Sequence, residues 1–136
     1  MNLVSVRMIT ADIRKIAAFY EKITGMKCTF YTDDFAELAT ESTVLAIGST
    51  KTLQAFGDND MAQPASNRSL IIEFRVADTD LEYQRLEEFL SGSIVQQPTT
   101  MPWGNRSFLF RDPDGNLVNF FTPVSPEAIK KFNAGA

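Results

Sequence analysis

The feature that most narrows what this chain can fold into is that part of it is written twice. Residues 4–12, Val-Ser-Val-Arg-Met-Ile-Thr-Ala-Asp, lie over residues 70–78, Leu-Ile-Ile-Glu-Phe-Arg-Val-Ala-Asp, at one offset of 66 residues. Apolar side chains coincide at 4/70, 6/72 and 8/74, and Ala-Asp recurs at 11–12 and 77–78. A period of two in each copy predicts a strand with one buried face. A repeat fixes architecture before any single motif does.

Each strand is followed by a helical pattern. After Asp12, placed as an N-cap, Ile13, Ile16, Ala17, Phe19, Tyr20 and Ile23 form one apolar stripe that ends at Thr24-Gly25. In the second copy Thr79-Asp80-Leu81-Glu82 has capping-box spacing, with Leu86, Phe89 and Leu90 expected inward and a stop near Ser91-Gly92. Three strands are then predicted in each half: 27–32, 35–40 and 43–48 in the first, and around 94–95, 106–111 and 117–122 in the second. Asp112-Pro113-Asp114-Gly115-Asn116 supplies the tight turn between the last two. The order strand, helix, three strands therefore occurs twice, and the fold class is α+β with two βαβββ modules.

The 136 residues suffice for a single domain. Its expected parts are module 1 at about 3–48, a linker at about 49–69, module 2 at about 70–123 and a C-terminal helix at about 125–133. Leu53 and Phe56 of the linker can fold back on the core. Ser125-Pro126-Glu127 opens the final helix, which is expected to pack on the surface or on a partner subunit.

Composition removes several functions. A net charge of −4 with no Lys/Arg cluster argues against nucleic acid as a partner. No apolar run reaches a membrane span, so no membrane partner is expected. One cysteine, Cys28, permits no internal disulfide and gives a cytoplasmic expectation. With no cationic neighbour in view, Cys28 reads as an inert thiol rather than a nucleophile. Histidine is absent, which removes the commonest general base and transition-metal ligand.

The segment Met101-Pro102-Trp103-Gly104-Asn105-Arg106-Ser107-Phe108-Leu109-Phe110-Arg111-Asp112-Pro113-Asp114-Gly115-Asn116, together with residues 5–13, Phe19-Tyr20 and Gly25, resembles the vicinal oxygen chelate superfamily, the glyoxalase and bleomycin-resistance architecture. The resemblance covers about residues 3 to 123. It implies that the two modules curl into a cupped mixed sheet that holds a ligand, and that the cup is often built across a homodimer. Metal-dependent members of that superfamily place ligands at positions held here by Ser5, Ile71 and Asn119. An aliphatic chain, a hydroxyl and an amide do not supply the His, Cys or carboxylate donors that divalent ions require. No metal site and no cofactor are therefore expected, with a carboxylate-only site on Glu73 or Glu37 as the alternative.

If Ser5 and Ile71 face the cup, alternation sends Arg7 and Glu73 there as well. Arg7 and Glu73 are equivalent in the repeat, and read either as polar anchors for a ligand, as electrostatic stabiliser and general base, or as a structural ion pair. Trp103 either stacks on a planar ligand or plugs the end of the sheet. Asn119 either faces the cavity or satisfies nearby backbone. Phe30, Tyr31, Phe108, Phe110 and Phe121 are divided between lining and core. The ligand-binding candidates are thus Ser5, Arg7, Ile71, Glu73, Trp103 and Asn119, with no catalytic residue assigned. The expected function is metal-free binding of a small molecule, as in sequestration of a drug-like or aromatic compound. The alternatives are a lyase, isomerase or dioxygenase-like enzyme that uses Arg7 and Glu73 or an unrecognised metal site, and a module that keeps the fold without a ligand.

Overall fold

The computed structural model describes residues 1–58 and 60–133. The chain divides into two compact units, residues 1–68 with 113–115, and residues 69–112 with those from 116 onward. In the first, strand β1 (Ser5–Thr10) leads through helix α1 (Ile13–Thr24) to β2 (Thr29–Thr32), β3 (Phe35–Ala39) and β4 (Val44–Ser49). The second repeats the order with β5 (Ile71–Arg75), α2 (Thr79–Leu86), β6 (Ile94–Thr100), β7 (Asn105–Arg111) and β8 (Leu117–Pro123), and adds α3 (Pro126–Asn133). Each unit holds a mixed four-stranded sheet, ordered β1-β4-β3-β2 and β5-β8-β7-β6. In both, the first strand pairs in parallel with the last and the remaining ladders are antiparallel. The α+β class and the two βαβββ modules follow directly.

Helix α1 forms as the stripe requires. The Asp12 carboxylate accepts from the Lys15 amide at 3.1 Å, and Gly25, at φ 70°, donates its N–H to the Glu21 carbonyl. Ile16, Tyr20 and Ile23 are buried against a sheet whose Ala36, Leu38 and Ile47 are fully enclosed. Burial of each such aliphatic side chain contributes about 1.5–3 kcal/mol. The helix lies over β3 and β4 rather than β1, so the expected buried face of the first strand is only partly realised. Val4 and Val6 stay exposed while Met8 is half-buried.

The second core is aromatic. Phe108, Phe110 and Phe120 are buried, and edge-on contacts join Tyr83 to Phe108 at 5.2 Å, Phe110 to Phe120 at 5.2 Å and Phe74 to Phe120 at 5.7 Å. Such rings gain from the edge-to-face geometry as well as from area. Phe108 and Phe110 are thereby core, not lining. Phe89, expected inward, is exposed, because α2 ends at Leu86 and the chain turns before reaching it; Leu90 is buried from that turn.

The cap of α2 also differs from the capping-box reading. Asp78, the counterpart of Asp12 in the repeat, accepts from the Asp80 and Leu81 amides at 3.0 and 3.1 Å. Thr79 is buried within the helix, where its hydroxyl donates to the Arg106 carbonyl at 2.9 Å. Helix and sheet are joined further by Arg106, whose guanidinium takes both oxygens of Asp80 at 2.8 and 2.9 Å. Bidentate geometry of this kind is the strong form of the ion pair. The segment between the modules is not structureless: Thr50–Phe56 form a 3₁₀ helix that buries Leu53 and leaves Phe56 exposed.

Replacing Asp78 with Ala removes both capping bonds and is expected to lower stability by about 1 kcal/mol in denaturant unfolding. The Arg106 hydrogen bond holds the Asp80 carboxyl below its ordinary value. Its contribution is therefore complete above the unfolded carboxylate value of about 3.9 and is lost as pH falls toward the lowered folded value. The stability difference between wild type and Asp80→Asn should be constant near neutrality and shrink below about pH 4.

Candidate functional site

Alternation decides which side chains the second sheet presents away from its helix. Phe74 and Phe120 meet in the aromatic core, so their neighbours Glu73, Arg75, Asn119 and Phe121 project from the opposite face. The parallel register sets Ile71 beside Leu117, Glu73 beside Asn119 and Arg75 beside Phe121. On β7 the same face carries Asn105, Ser107 and Leu109.

The Asn119 amide donates to Glu73 Oε2 at 2.8 Å. An ionised carboxylate accepts only, so this bond fixes which end of the amide is nitrogen. The carbonyl oxygen of Asn119 is consequently turned away from Glu73, and it is buried without a hydrogen-bond partner. Asn105 Oδ1 is buried and unpartnered as well. Two such acceptors on one sheet face are unusual, because buried polar atoms are ordinarily paired.

Helix α3 gives this face an outer wall. The Ser125 hydroxyl caps the helix by accepting from the Ala128 amide at 3.0 Å, and Pro126 occupies the first helical position. Phe132 stacks on Phe121 with ring centres 5.0 Å apart. At the far end Arg75 donates to the Phe132 carbonyl at 3.2 Å and to Asn133 Oδ1 at 3.0 Å, holding the last turn to β5. Between helix and sheet lies a recess of about 510 Å³ lined by Glu73, Trp103, Asn105, Phe121, Lys131 and Phe132. The Lys131 ammonium sits over the Phe132 ring at 5.2 Å.

Trp103 owes its position to the glycine after it. Gly104 has φ +91°, and its carbonyl accepts from both the Val124 and Ser125 amides at 2.8 and 3.0 Å. A Cβ there would collide with the Ser125 side chain and crowd Ala128. This tight approach ties the Trp103 loop to the start of α3 and leaves the indole 65% exposed at the recess.

The structure thus brings Glu73, Trp103 and Asn119 together. Ile71 lies on the same face two residues before Glu73 and is exposed. Ser5 is half-buried beside Val44 on β1. Arg7, opposite Ala46, places its guanidinium over the rings of Phe35 and Phe56 at 4.9 and 5.8 Å. Each member of the expected Arg7/Glu73 pair therefore has partners within its own unit. Phe30 and Tyr31 are exposed on β2, with Arg14 stacked over Phe30. Asn105, Lys131 and Phe132 are the lining residues that sequence reasoning missed. Asn105 directly follows Trp103-Gly104, and α3 was expected only to pack elsewhere.

These residues do not fit a divalent ion. Ile71 offers no donor atom, Glu73 is the one carboxylate lining the recess, and no three His, Cys, Asp or Glu side chains cluster as a metal site among the described residues. Cys28 lies outside the recess, and burial pushes its thiol up to about 11. No helix of the described residues is long and apolar enough to cross a membrane.

Comparison with known proteins bears on this arrangement. The profile of the Glyoxalase/Bleomycin resistance protein/Dioxygenase superfamily matches residues 2–120. The uncharacterized protein YraH of Bacillus subtilis is 24% identical over 125 residues, covering 89% of this chain and 98% of its own. YwbC, also an uncharacterized protein of Bacillus subtilis, is 27% identical over 117 residues, covering 84% of this chain and 91% of its own. Among solved structures, a glyoxalase/bleomycin resistance protein/dioxygenase family enzyme from Burkholderia phytofirmans PsJN superposes with a TM-score of 0.79 at 15% identity, over 91% of this chain and all of that one. That likeness is one of fold.

Gly104→Ala should cost about 1–3 kcal/mol, since it strains a positive φ and separates the turn from α3. The emission of Trp103, the one tryptophan of the sequence, should shift with it. A variant with unchanged stability and spectrum would mean that the close approach is not as tight as described.

Proposed function

Because the chain belongs to the Glyoxalase/Bleomycin resistance protein/Dioxygenase superfamily, we propose that it is a small-molecule-binding protein of that type, working without a metal ion and sequestering a drug-like or aromatic compound. The observation that carries this reading is the recess beneath α3, where the Glu73 carboxylate and Asn105 lie among Trp103, Phe121 and Phe132. Few polar groups in a largely aromatic setting are what orient and hold a small ligand. The binding set in this reading is Glu73, Trp103 and Asn119, with Asn105, Lys131 and Phe132 added. Ile71 contributes from the same sheet face, and Ser5 and Arg7, on β1 of the other unit, are proposed separately as ligand-contacting residues of that unit.

The competing reading is an enzyme of the same superfamily, acting through Arg7 and Glu73 or through a metal held by other groups. Elemental analysis of protein purified without chelator separates the two, since stoichiometric metal would favour the enzyme. For the binding reading, titration of planar aromatic compounds should change Trp103 emission saturably with no product formed. Glu73→Ala and Asn119→Ala should each weaken that binding about tenfold or more while the fold persists by circular dichroism. Titrations that leave the indole unmoved, or variants that bind like wild type, would remove the recess from consideration.

A homodimer accords with the exposed Val6 on β1 and Ile71 on β5, because both strands end their sheets and carry exposed apolar side chains. Sedimentation at micromolar concentration should give twice the chain mass, and a monomer there overturns the dimer. A cytoplasmic setting accords with a single cysteine whose thiol is half-buried.

A further inference from the structure

We infer that the first unit carries its own site for a small zwitterion, an α-amino acid with an aromatic side chain, held between the Arg7 guanidinium and the Glu37 carboxylate. This gives a ligand class to the first-unit residues of the reading above and rests on that reading, but it uses no residue of the recess beneath α3. The helix side of the first sheet is closed, because Ala36, Leu38 and Ile47 are buried against α1. Alternation turns Phe35 and Glu37 of β3, and Ala46 and Gly48 of β4, to the other face. Register completes a row across three strands, since Arg7 stands beside Ala46 and Ala46 beside Glu37. A cation and an anion therefore flank one alanine, on backbones about 10 Å apart.

Neither charge is spent within the chain. Among the described residues Arg7 and Glu37 form no hydrogen bond and no ion pair, with each other or elsewhere. Two rings hold the guanidinium instead, with its central carbon 4.9 Å from the Phe35 ring centre and 5.8 Å from that of Phe56. Phe56 is delivered by the 3₁₀ helix, which can come close because residue 48 is glycine. A Cβ there would lie 2.9 Å from Thr52 Oγ1, a hydroxyl already fixed by donating to the Ser49 carbonyl at 2.7 Å. Ring contacts of this kind spend none of the five N–H donors of an arginine. Phe35 and Glu37 are two residues apart on one strand face, about 7 Å. The guanidinium over Phe35 thus stands within one small molecule's length of the carboxylate.

These two groups set the class. A purely anionic ligand would meet Arg7 but also face Glu37, and a purely cationic one would meet the reverse. A ligand with both signs pairs each with its opposite: its carboxylate accepts from the Arg7 fork and its ammonium donates to Glu37. The aromatic side chain follows from the surroundings. Tyr31 and Phe35 have ring centres 6.1 Å apart, and Tyr31 and Phe56 are both exposed, so ring surface is available beside the charged pair.

The test is calorimetric titration of the intact chain with four probes that share one ring: L-phenylalanine, 3-phenylpropionate, phenethylamine and 2-phenylethanol. Phenylalanine should bind about tenfold or more tightly than each of the other three. Arg7→Gln should reduce it to the level of phenethylamine, and Glu37→Gln to the level of phenylpropionate. Glu73→Ala, which alters the recess alone, should leave phenylalanine binding as it was. If phenylpropionate or phenethylamine binds as well as phenylalanine, or if either first-unit variant keeps the wild-type affinity while folding normally, the zwitterion class is wrong. If Glu73→Ala abolishes phenylalanine binding, the ligand sits in the recess and the first-unit site falls. Absence of saturable binding by phenylalanine at millimolar concentration overturns the inference alone, because the recess is judged separately by Trp103 emission.

Discussion

Everything distinctive about the second module depends on one rung of its sheet, the parallel pairing that sets Glu73 beside Asn119. A parallel ladder requires a crossover between its strands, and here α2, β6 and β7 fill it. The helix covers one face with an aromatic core. The other face is then free to carry polar groups, provided that they bond to one another. Asn119 and Glu73 do so, and because the carboxylate can only accept, the bond also decides which way the amide oxygen points. A single pairing in the backbone thus sets which way the Asn119 amide faces.

The same rung exists in the first module with other residues. Arg7 stands beside Ala46, as Glu73 stands beside Asn119. Lacking a polar partner across the rung, Arg7 lays its guanidinium over Phe35 and Phe56 instead. Two copies of one fold have therefore diverged at equivalent positions, from a cation spread on aromatic rings to an anion bound by an amide. The backbone accommodates both, and Arg7 and Glu73 each stand on a strand that ends its sheet. Such divergence after repetition gives the two modules different polar contacts on one backbone plan.

The repeat, the caps at Asp12 and Asp78 and the stripe on α1 were legible because each rests on local chemistry: spacing, an acceptor side chain, a glycine in the left-handed region. Glu73 was legible because alternation places residues on a face once a strand is known; Asn119 was marked by the family resemblance, and Trp103 by its amphipathic ring on the loop beside Gly104. What could not be read was where a helix lies across a sheet. Val6 fits the pattern of a buried position yet is exposed because α1 covers β3 and β4. Phe89 continues the α2 stripe, but the helix stops before it. Lys131 and Phe132 entered the recess for the same reason in reverse, since the path of α3 is set by a long-range approach at Gly104 and by Arg75, neither of which has a local signature.

Helix α3 is fastened at both ends, by the Gly104 carbonyl at its start and by the Arg75 fork at its finish. It meets the recess in its last turn, where the Phe132 ring is committed to Phe121 and Lys131 is exposed. Replacing Lys131 would therefore alter the charge at the rim of the recess while the anchoring glycine and arginine keep the helix in place.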